Sequence, residues 1–597
     1  MLFKSAYPDI HVPPDLTLWQ WLFETSSPAA GCSKPDAVTS PTREYINTQT
    51  GARLTHAQVR DAAVALSAAL VRHRRPRRPR SDGDGDGDRD GDGDGLRPGD
   101  VVSLVSPNAV TYPICLHGVI RAGGVPAVSS PAANEAEMRH ALRTARSRFV
   151  MCAPETLPVV RAAARAEGVD ESRIFVFADD DDDDYDDDGR VDGFVSLSAL
   201  VEEGARLGRT EPAGLPSGRS SADAPAFLCF SSGTTGLPKA VIISHANIIA
   251  QCLQLNLAYT HSHMALGLLP FYHSKSSPRS CERGDQNTFS GLVRAQVHCL
   301  VSHTSIAVVP RFTMPALLSA ISTYRIAEVN LVPPILIRLA HDPTVGDYDL
   351  SCVERWATGA APVSPEVLAL LARRFPGTGF KQGYGMTETT ACVTTHPRHL
   401  YDFKHGRSVG TLVAGTVIKV VNEDGEAVGV DERGEIRVKG PQIVPGYLNN
   451  PVASAEAFDD EGFLRTGDEG SVAADGQLTI HDRIKEMIKV KGAQVAPAEL
   501  EDLLLGHPSV ADAAVIGVPD DYAGERPFAF VVLGPGADHE SAPQELDQYV
   551  KETRTRSKWL AGVRVVETIP KSPSGKILRR ILREEYKRNT AALSPKL

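Results

Sequence analysis

The apolar run Ala226 to Phe230 leads directly into Ser231-Ser232-Gly233-Thr234-Thr235-Gly236-Leu237-Pro238-Lys239, and then into a second apolar run, Ala240 to Ile243. No other stretch constrains the chain as much. Glycines at two positions of such a loop let backbone N–H groups turn toward an anion. The hydroxyls of Ser231, Ser232, Thr234 and Thr235 add donors, and Lys239 adds positive charge. This is the chemistry of a phosphate cradle. It is not a GxxxxGK[ST] loop, because the lysine follows Pro238 and no other Gly-Lys in the chain completes that spacing. GTPases and kinases of that class are therefore disfavoured. On composition alone the loop also reads as a polar turn, since Ser, Thr and Gly cluster in turns.

At 597 residues and 64.1 kDa the chain calls for two or more domains. Short β-branched runs such as Val101 to Val105 and Phe227 to Phe230 alternate with Ala/Leu-rich helical segments such as Ala57 to Leu70. That alternation predicts a large layered α/β domain. After His481 the pattern changes. Leu500, Leu503 and Leu504 mark a helix, Asp512 to Val518 and Pro527 to Leu533 read as strands, and Ile577 to Tyr586 as a basic helix. A small α+β domain at the C-terminus is expected, with the division at 482/483.

The formal charge of −11 offers no basic field for nucleic acid. Much of it is local: Asp-Gly alternation from Asp82 to Asp94 and an acidic run from Asp179 to Asp188 leave a nearly neutral remainder once the arginines of Arg72 to Arg80 are set against them. Segments 72–99 and 179–190 cannot bury enough apolar surface to offset ordering entropy, so both are expected as disordered inserts. No stretch of 18 uncharged apolar residues occurs, and the first residues lack an apolar h-region followed by a cleavage site. A soluble intracellular protein without a membrane span is expected. Nine Cys without a CxxC pair point neither to a zinc site nor to a disulfide framework.

The string SSGTTGLPKAV resembles the signature of the adenylate-forming superfamily, which includes acyl- and aryl-CoA synthetases, peptide-synthetase adenylation domains and beetle luciferases. The resemblance continues in order through Ala357 to Pro362 (ATGAAP), Gln382 to Glu388 (QGYGMTE), Arg465 to Asp468 (RTGD), Asp482 to Glu486 (DRIKE), Ile488 to Gly492 (IKVKG) and Pro570 to Lys576 (PKSPSGK). KVKGAQVAPAELE and PKSPSGKILRR are most similar to 4-coumarate:CoA ligases and fungal-type acyl-CoA ligases.

The resemblance implies an acid:CoA ligase that joins a carboxylic acid to AMP, releases pyrophosphate, and passes the acyl group to CoA. Ser231, Ser232, Gly233, Thr234, Thr235, Gly236 and Lys239 would hold the β- and γ-phosphates. Thr387 would meet the α-phosphate, and Glu388 would hold Mg²⁺. Tyr384 would stack on adenine, with Gly359, Ala360, Gln382, Gly383 and Gly385 building the same nucleotide site. Asp468, helped by Arg483, would bind the ribose. Lys576 would reach the α-phosphate and the acid's carboxylate. Lys485 would be the hinge of a mobile C-terminal domain, and Lys489, Lys491, Gly492 and Gln494 would serve thioester formation. His273, in LLPFYH, matches an element beside the acyl pocket and divides between carboxylate positioning and packing.

The acyl pocket is expected from His273, the stretch after it, Asn330 to Pro334 and Gly359 to Gly385. An aromatic acid of the cinnamate or phenylacetate type is favoured over a medium-chain fatty acid. Ser274 to Ser290 depart from the family as a charged insertion before Gly291-Leu292-Val293, which suggests a retained intron that transcript sequencing would reveal. The ending Ser594-Pro595-Lys596-Leu597 approximates a peroxisomal address. Three alternatives share the motifs: an enzyme that loads a carrier protein, a luciferase-like oxygenase, and a non-catalytic protein on the same scaffold. Against the first, amino-acid-activating members carry an Asp near the aromatic-His element, and Leu268 to His273 has none.

Overall fold

The computed structural model describes residues 1–25, 43–73, 95–177, 189–231, 238–259, 262–272, 291–359, 363, 365–491, 493–520, 522–534, 536–571 and 577–593. The expected β-branched runs become members of one nine-stranded sheet. Its spatial order is Gly446–Tyr447, Lys239–Ser244, Pro225–Ser231, Val125–Ser129, Val101–Val105, Phe149–Cys152, Ile174–Val176, Phe194–Ser196 and Arg190–Val191. The six strands from Pro225–Ser231 to Phe194–Ser196 are parallel. Parallel pairing requires crossovers, and the helices Tyr112–Arg121, Glu135–Ala145 and Leu157–Ala166 supply them. With both faces covered, the central strands Val125–Ser129 and Phe149–Cys152 are buried along their whole length.

Three further sheets complete the large unit, one of them four-stranded in the order Met264–Gly267, Ser305–Val308, Glu44–Asn47 and Arg53–Thr55. Glu328–Asn330, Arg355–Thr358 and Gly379–Tyr384 run parallel and continue antiparallel into Thr394–Thr395 and Thr411–Leu412. Trp356, Phe380 and Leu371 sit in the core beside the first three. The last sheet is antiparallel, in the order Phe3–Lys4, Val417–Val421, Gly434–Lys439, Leu464–Val472 and Leu478–Arg483.

The ends of the expected inserts differ from the sequence reading. Arg72 closes the helix His56–Arg72, and Leu96 is buried with its N–H donated to the Leu70 carbonyl at 2.8 Å. A leucine between Gly95 and Arg97 has an apolar wall to bury against, which the Asp-Gly repeat lacks. Arg190 likewise opens the strand Arg190–Val191. The acidic runs 82–94 and 179–188 and the insertion 274–290 lie outside the described residues.

The C-terminal unit has its own core, built on Ile488, Val515, Val531 and Leu546. Its sheet runs Ala493–Val495, Ile488–Val490, Gly524–Leu533, Val510–Asp520, with Val563–Val565 parallel to Gly524–Leu533. The strand Leu478–Arg483 ends beside the expected division at 482/483, and the short turn Ile484–Glu486 follows it. The basic helix spans Arg579–Leu593 and begins two residues later than expected, because Ile577 bridges to Lys571 and Leu578 donates to the Pro570 carbonyl at 2.8 Å. The two units touch where Asp482 Oδ2 accepts the Ala498 N–H at 3.2 Å.

Candidate active site

Ser231 and Lys239 face each other as register partners of an antiparallel pair. The chain leaves the glycine-rich loop as a strand, not a helix, so no helix N-terminus stands behind it. Any anion held there depends on the loop's own N–H groups, hydroxyls and lysine. Ser232, Gly233, Thr234, Thr235 and Gly236 lie outside the described residues. On the loop's exit side His140 Nε2 lies 2.8 Å from the Pro238 carbonyl.

Lys239 Nζ stands 4.9 Å from the centroid of the Tyr447 ring. That ring is placed by the edge strand Gly446–Tyr447, whose Tyr447 pairs with Val241. The Tyr447 hydroxyl in turn donates to Glu388 Oε1 at 3.0 Å. Burial, then the Glu388 carboxylate, raises the Tyr447 phenol well above its ordinary value, so it stays a donor. Glu388 sits in the buried turn Thr387–Thr389, with its carbonyl accepting the Val444 N–H at 3.1 Å. The turn is closed by Thr390 at φ 59°, whose hydroxyl donates to the Gln442 carbonyl at 2.6 Å. Tyr447 is the site residue that sequence reasoning missed, since its only signal is a lone aromatic after Pro445-Gly446.

Gly385 must be glycine. A Cβ there would lie 1.5 Å from the Ala391 carbonyl oxygen. A Cβ on Gly359 would meet only the Gly383 carbonyl, at 3.4 Å, which leaves backbone open beside the strand Gly379–Tyr384. Gln382 is held at its side chain by backbone carbonyls. Its side chain is buried and donates to the Gly406 carbonyl at 2.6 Å and, more weakly, to Ser408 at 3.4 Å. It anchors the strand that carries Tyr384.

Tyr384 donates its hydroxyl to Asp468 Oδ2 at 2.7 Å, and Arg483 Nε lies 3.1 Å from Asp468 Oδ1. Asp468 and Arg483 are cross-strand partners, which explains why residues 15 apart in sequence meet. Asp468 is 4% exposed, held by its own N–H donating to Thr466 Oγ1 at 3.1 Å. Burial, then Asp468, raises the Tyr384 phenol well above its ordinary value. Ser231, Lys239, Tyr447 and Glu388 thus form one run of contacts and Tyr384, Asp468 and Arg483 a second, with Tyr384 and Glu388 four residues apart on one segment.

On the C-terminal unit, Lys489 and Gln494 are register partners in the hairpin Ile488–Val490 to Ala493–Val495. The Lys489 N–H donates to Glu525 at 2.9 Å. Lys491 has φ 50° and lays Nζ 3.4 Å from the centroid of the exposed Tyr522 ring. Lys485 belongs to the short turn Ile484–Glu486 between the two units, where a hinge was expected. His273, Ala360, Gly492 and Lys576 lie outside the described residues. Among the described residues no cluster of three or more His, Cys, Asp or Glu is arranged to hold a metal, and no helix is long and apolar enough to cross a membrane.

Residues 93–448 match the AMP-binding enzyme family, and residues 499–576 match the AMP-binding enzyme C-terminal domain. The chain is 34% identical over 600 residues to 4-coumarate–CoA ligase 2 of Oryza sativa subsp. japonica, covering 98% of this chain and 94% of the relative. It is 32% identical over 593 residues to 4-coumarate-CoA ligase 1 of Narcissus pseudonarcissus, covering 98% and 96%. Among solved structures, MatB from Rhodopseudomonas palustris bound to ATP superposes with a TM-score of 0.76 at 24% identity, covering 96% of this chain and 99% of that one. The anthranilate CoA ligase AuaEII with anthranoyl-AMP gives 0.77 at 21% identity, covering 97% and 99%. The chain therefore belongs to the AMP-binding enzyme family, within the adenylate-forming superfamily, as a 4-coumarate–CoA-ligase-like, AMP-forming acid–thiol ligase.

Proposed function

We propose that this ligase activates an aromatic carboxylic acid of the cinnamate or phenylacetate type and transfers it to the thiol of CoA. The observation that carries the nucleotide half is a pair of buried carboxylates: Glu388, tied through Tyr447 to Lys239 at the stem of the glycine-rich loop, and Asp468, tied to Tyr384 four residues before Glu388. The names of the similar ligases support the aromatic acid.

A free carboxylate is a poor electrophile. Its attack on the α-phosphate of ATP forms an acyl–AMP anhydride and expels pyrophosphate. The CoA thiolate then attacks the acyl carbon and expels AMP. In this reading Lys239 and the loop donors neutralise the β- and γ-phosphates, and Lys576 meets the negative charge that builds on the α-phosphate. Asp468 accepts the ribose hydroxyls, oriented by Tyr384 and Arg483. Lys489 and Gln494 serve the thioester step from a second orientation of the C-terminal unit about Lys485.

A divalent magnesium ion fits the residues present, because a buried carboxylate with one oxygen already fixed by a phenol donor suits a hard cation that keeps most of its waters. Glu388 would hold it. The ion would supply charge neutralisation on the phosphates.

The test is pyrophosphate release from ATP with a panel of aryl and fatty acids, with and without CoA, beside Lys576→Ala. CoA-dependent turnover of aryl acids that the variant loses is the expected result. Acid-dependent release that CoA does not accelerate would replace CoA with a carrier protein. Peroxisomal import through Pro595-Lys596-Leu597 belongs to the same reading. A fluorescent fusion that stays cytosolic would end it.

A further inference from the structure

A buried charged cluster stands against the pocket region. Glu328, 4% exposed, accepts Arg294 Nη2 at 3.0 Å and Arg355 Nε at 2.8 Å, and lies 2.7 Å from Lys381 Nζ. Arg355 is also met by Glu354 at 2.8 Å. Three cations therefore face two carboxylates among the described residues. The surplus charge falls on Arg294 and Lys381, both of which lie over the ring of Tyr259, at 4.8 and 3.8 Å.

Arg294 and Glu328 line a cavity of about 40 Å³ together with Tyr259, Leu266, Leu269 and His298. Gly291, the first described residue after the insertion, and Asn330 belong to the same lining. Both belong to the stretches expected to line the acyl pocket. A cavity of that size holds a head group of a few heavy atoms, not a whole aryl acid. Ser262, Ser302, Thr304 and Asn330 add neutral polar groups to its wall, so its charge comes from Arg294 and Glu328.

The same geometry excludes a cationic guest. Glu328 is already shared by three donors and has no remaining role for a substrate amine. Arg294 uses Nη2 on Glu328, and among the described residues its other N–H groups have no protein acceptor. Its side chain keeps 22% exposure. Buried surplus positive charge is costly without a counter-charge, and a carboxylate supplies that together with a bidentate match to the guanidinium.

We infer that the acid activated by this enzyme is a dicarboxylic acid, whose distal carboxylate docks on Arg294 at the Tyr259–Glu328 cavity while the other carboxylate is adenylated. This rests on the ligase reading above. Arg294 is then the specificity-determining residue, with Lys381 as supporting charge. Burial lowers Lys381 to about 8, against the pull of Glu328, so it is largely protonated at pH 7.

The experiment compares matched pairs of acids by pyrophosphate release in the full-length enzyme: 4-carboxycinnamate against cinnamate and 4-hydroxycinnamate, and adipate against hexanoate. The expected result is a kcat/KM advantage of about 10- to 100-fold for the dicarboxylic member of whichever pair is used, the range of a charge-assisted hydrogen bond. Arg294→Met should abolish that advantage and Arg294→Lys should retain part of it. Turnover of monocarboxylic acids with no gain for their dicarboxylic partners overturns this inference and leaves the ligase intact. A preference for 4-hydroxycinnamate over 4-carboxycinnamate does the same. Silence with every acid overturns the ligase reading and this inference with it. The wild-type preference decides the matter even if a variant fails to fold.

Discussion

Tyr447 donates to Glu388 at 3.0 Å while its ring carries Lys239 at 4.9 Å, so one aromatic side chain on an edge strand couples the glycine-rich loop to the QGYGMTE turn. Tyr447→Phe keeps the ring and removes the donor. A hydrogen bond to a charged group contributes about 1.5–3 kcal/mol, so kcat/KM for ATP should fall about 10- to 100-fold, with the half-saturating Mg²⁺ concentration raised. Pyrophosphate release across a magnesium titration measures both. Unchanged magnesium dependence would reduce Tyr447 to a packing residue.

Asp468 gives a complementary expectation. In Asp468→Asn the Tyr384 hydroxyl keeps an acceptor, and Arg483, 38% exposed at its side chain, returns to solvent without a buried charge left behind. The fold should survive and KM for ATP should rise about tenfold or more, the loss of charge-assisted bonds to the ribose hydroxyls. A thermal melt beside ATP titration separates the two. A large drop in Tm with unchanged KM would make Asp468 structural.

Local patterns carried most of the fold. Val101–Val105 reads as a strand from its β-branched run, and His56–Arg72 is anticipated from Ala57 to Leu70 to within two residues at its ends. The local turns of the motifs were legible too, because each short string encodes its own: Gly385 has no room for a Cβ, and Gly467 sits at φ +70° beside Asp468. Contacts between distant strands were not legible. Tyr447 reaches Glu388 only because Gly446–Tyr447 pairs with Lys239–Ser244, and the Gln382 side chain meets the carbonyls of Gly406 and Ser408 more than twenty residues on. Arg294, Glu328 and Lys381 come from three elements that nothing in sequence pairs.

The contact between the two units carries like charge. Asp502 is raised well above the ordinary aspartate value, first by burial and then by Glu501, Glu366 and Asp482, with Arg407 opposing. Arg579 is committed to Glu501 at 2.8 Å. A carboxyl with a raised folded-state value costs stability when ionised, so the penalty is full at alkaline pH and fades as pH falls through the raised value. Below the unfolded value of about 4 it is gone. Asp502→Asn should therefore raise the Tm at pH 8 and leave it unchanged near pH 4. Calorimetric scans at the two pH values check this, and an equal shift at both would assign the effect to packing.

Glu328 gives the opposite sign. Burial alone would raise it, but Lys381, Arg294 and Arg355 outweigh that and hold the carboxyl well below the usual range. Its contribution is complete above the unfolded value of about 4.3 and is lost as pH falls toward the depressed folded one. Glu328→Gln leaves three cations facing each other in a buried site, which should destabilise the large unit by about 3–5 kcal/mol. Adding Lys381→Met to that variant removes one of the unpaired charges and should recover part of the loss. Non-additivity between the two changes in urea denaturation at pH 7 is the diagnostic, since residues in one ion network couple and independent ones do not. Additive losses would mean that Glu328 and Lys381 act separately, and the surplus-charge account of the cavity would fall with them.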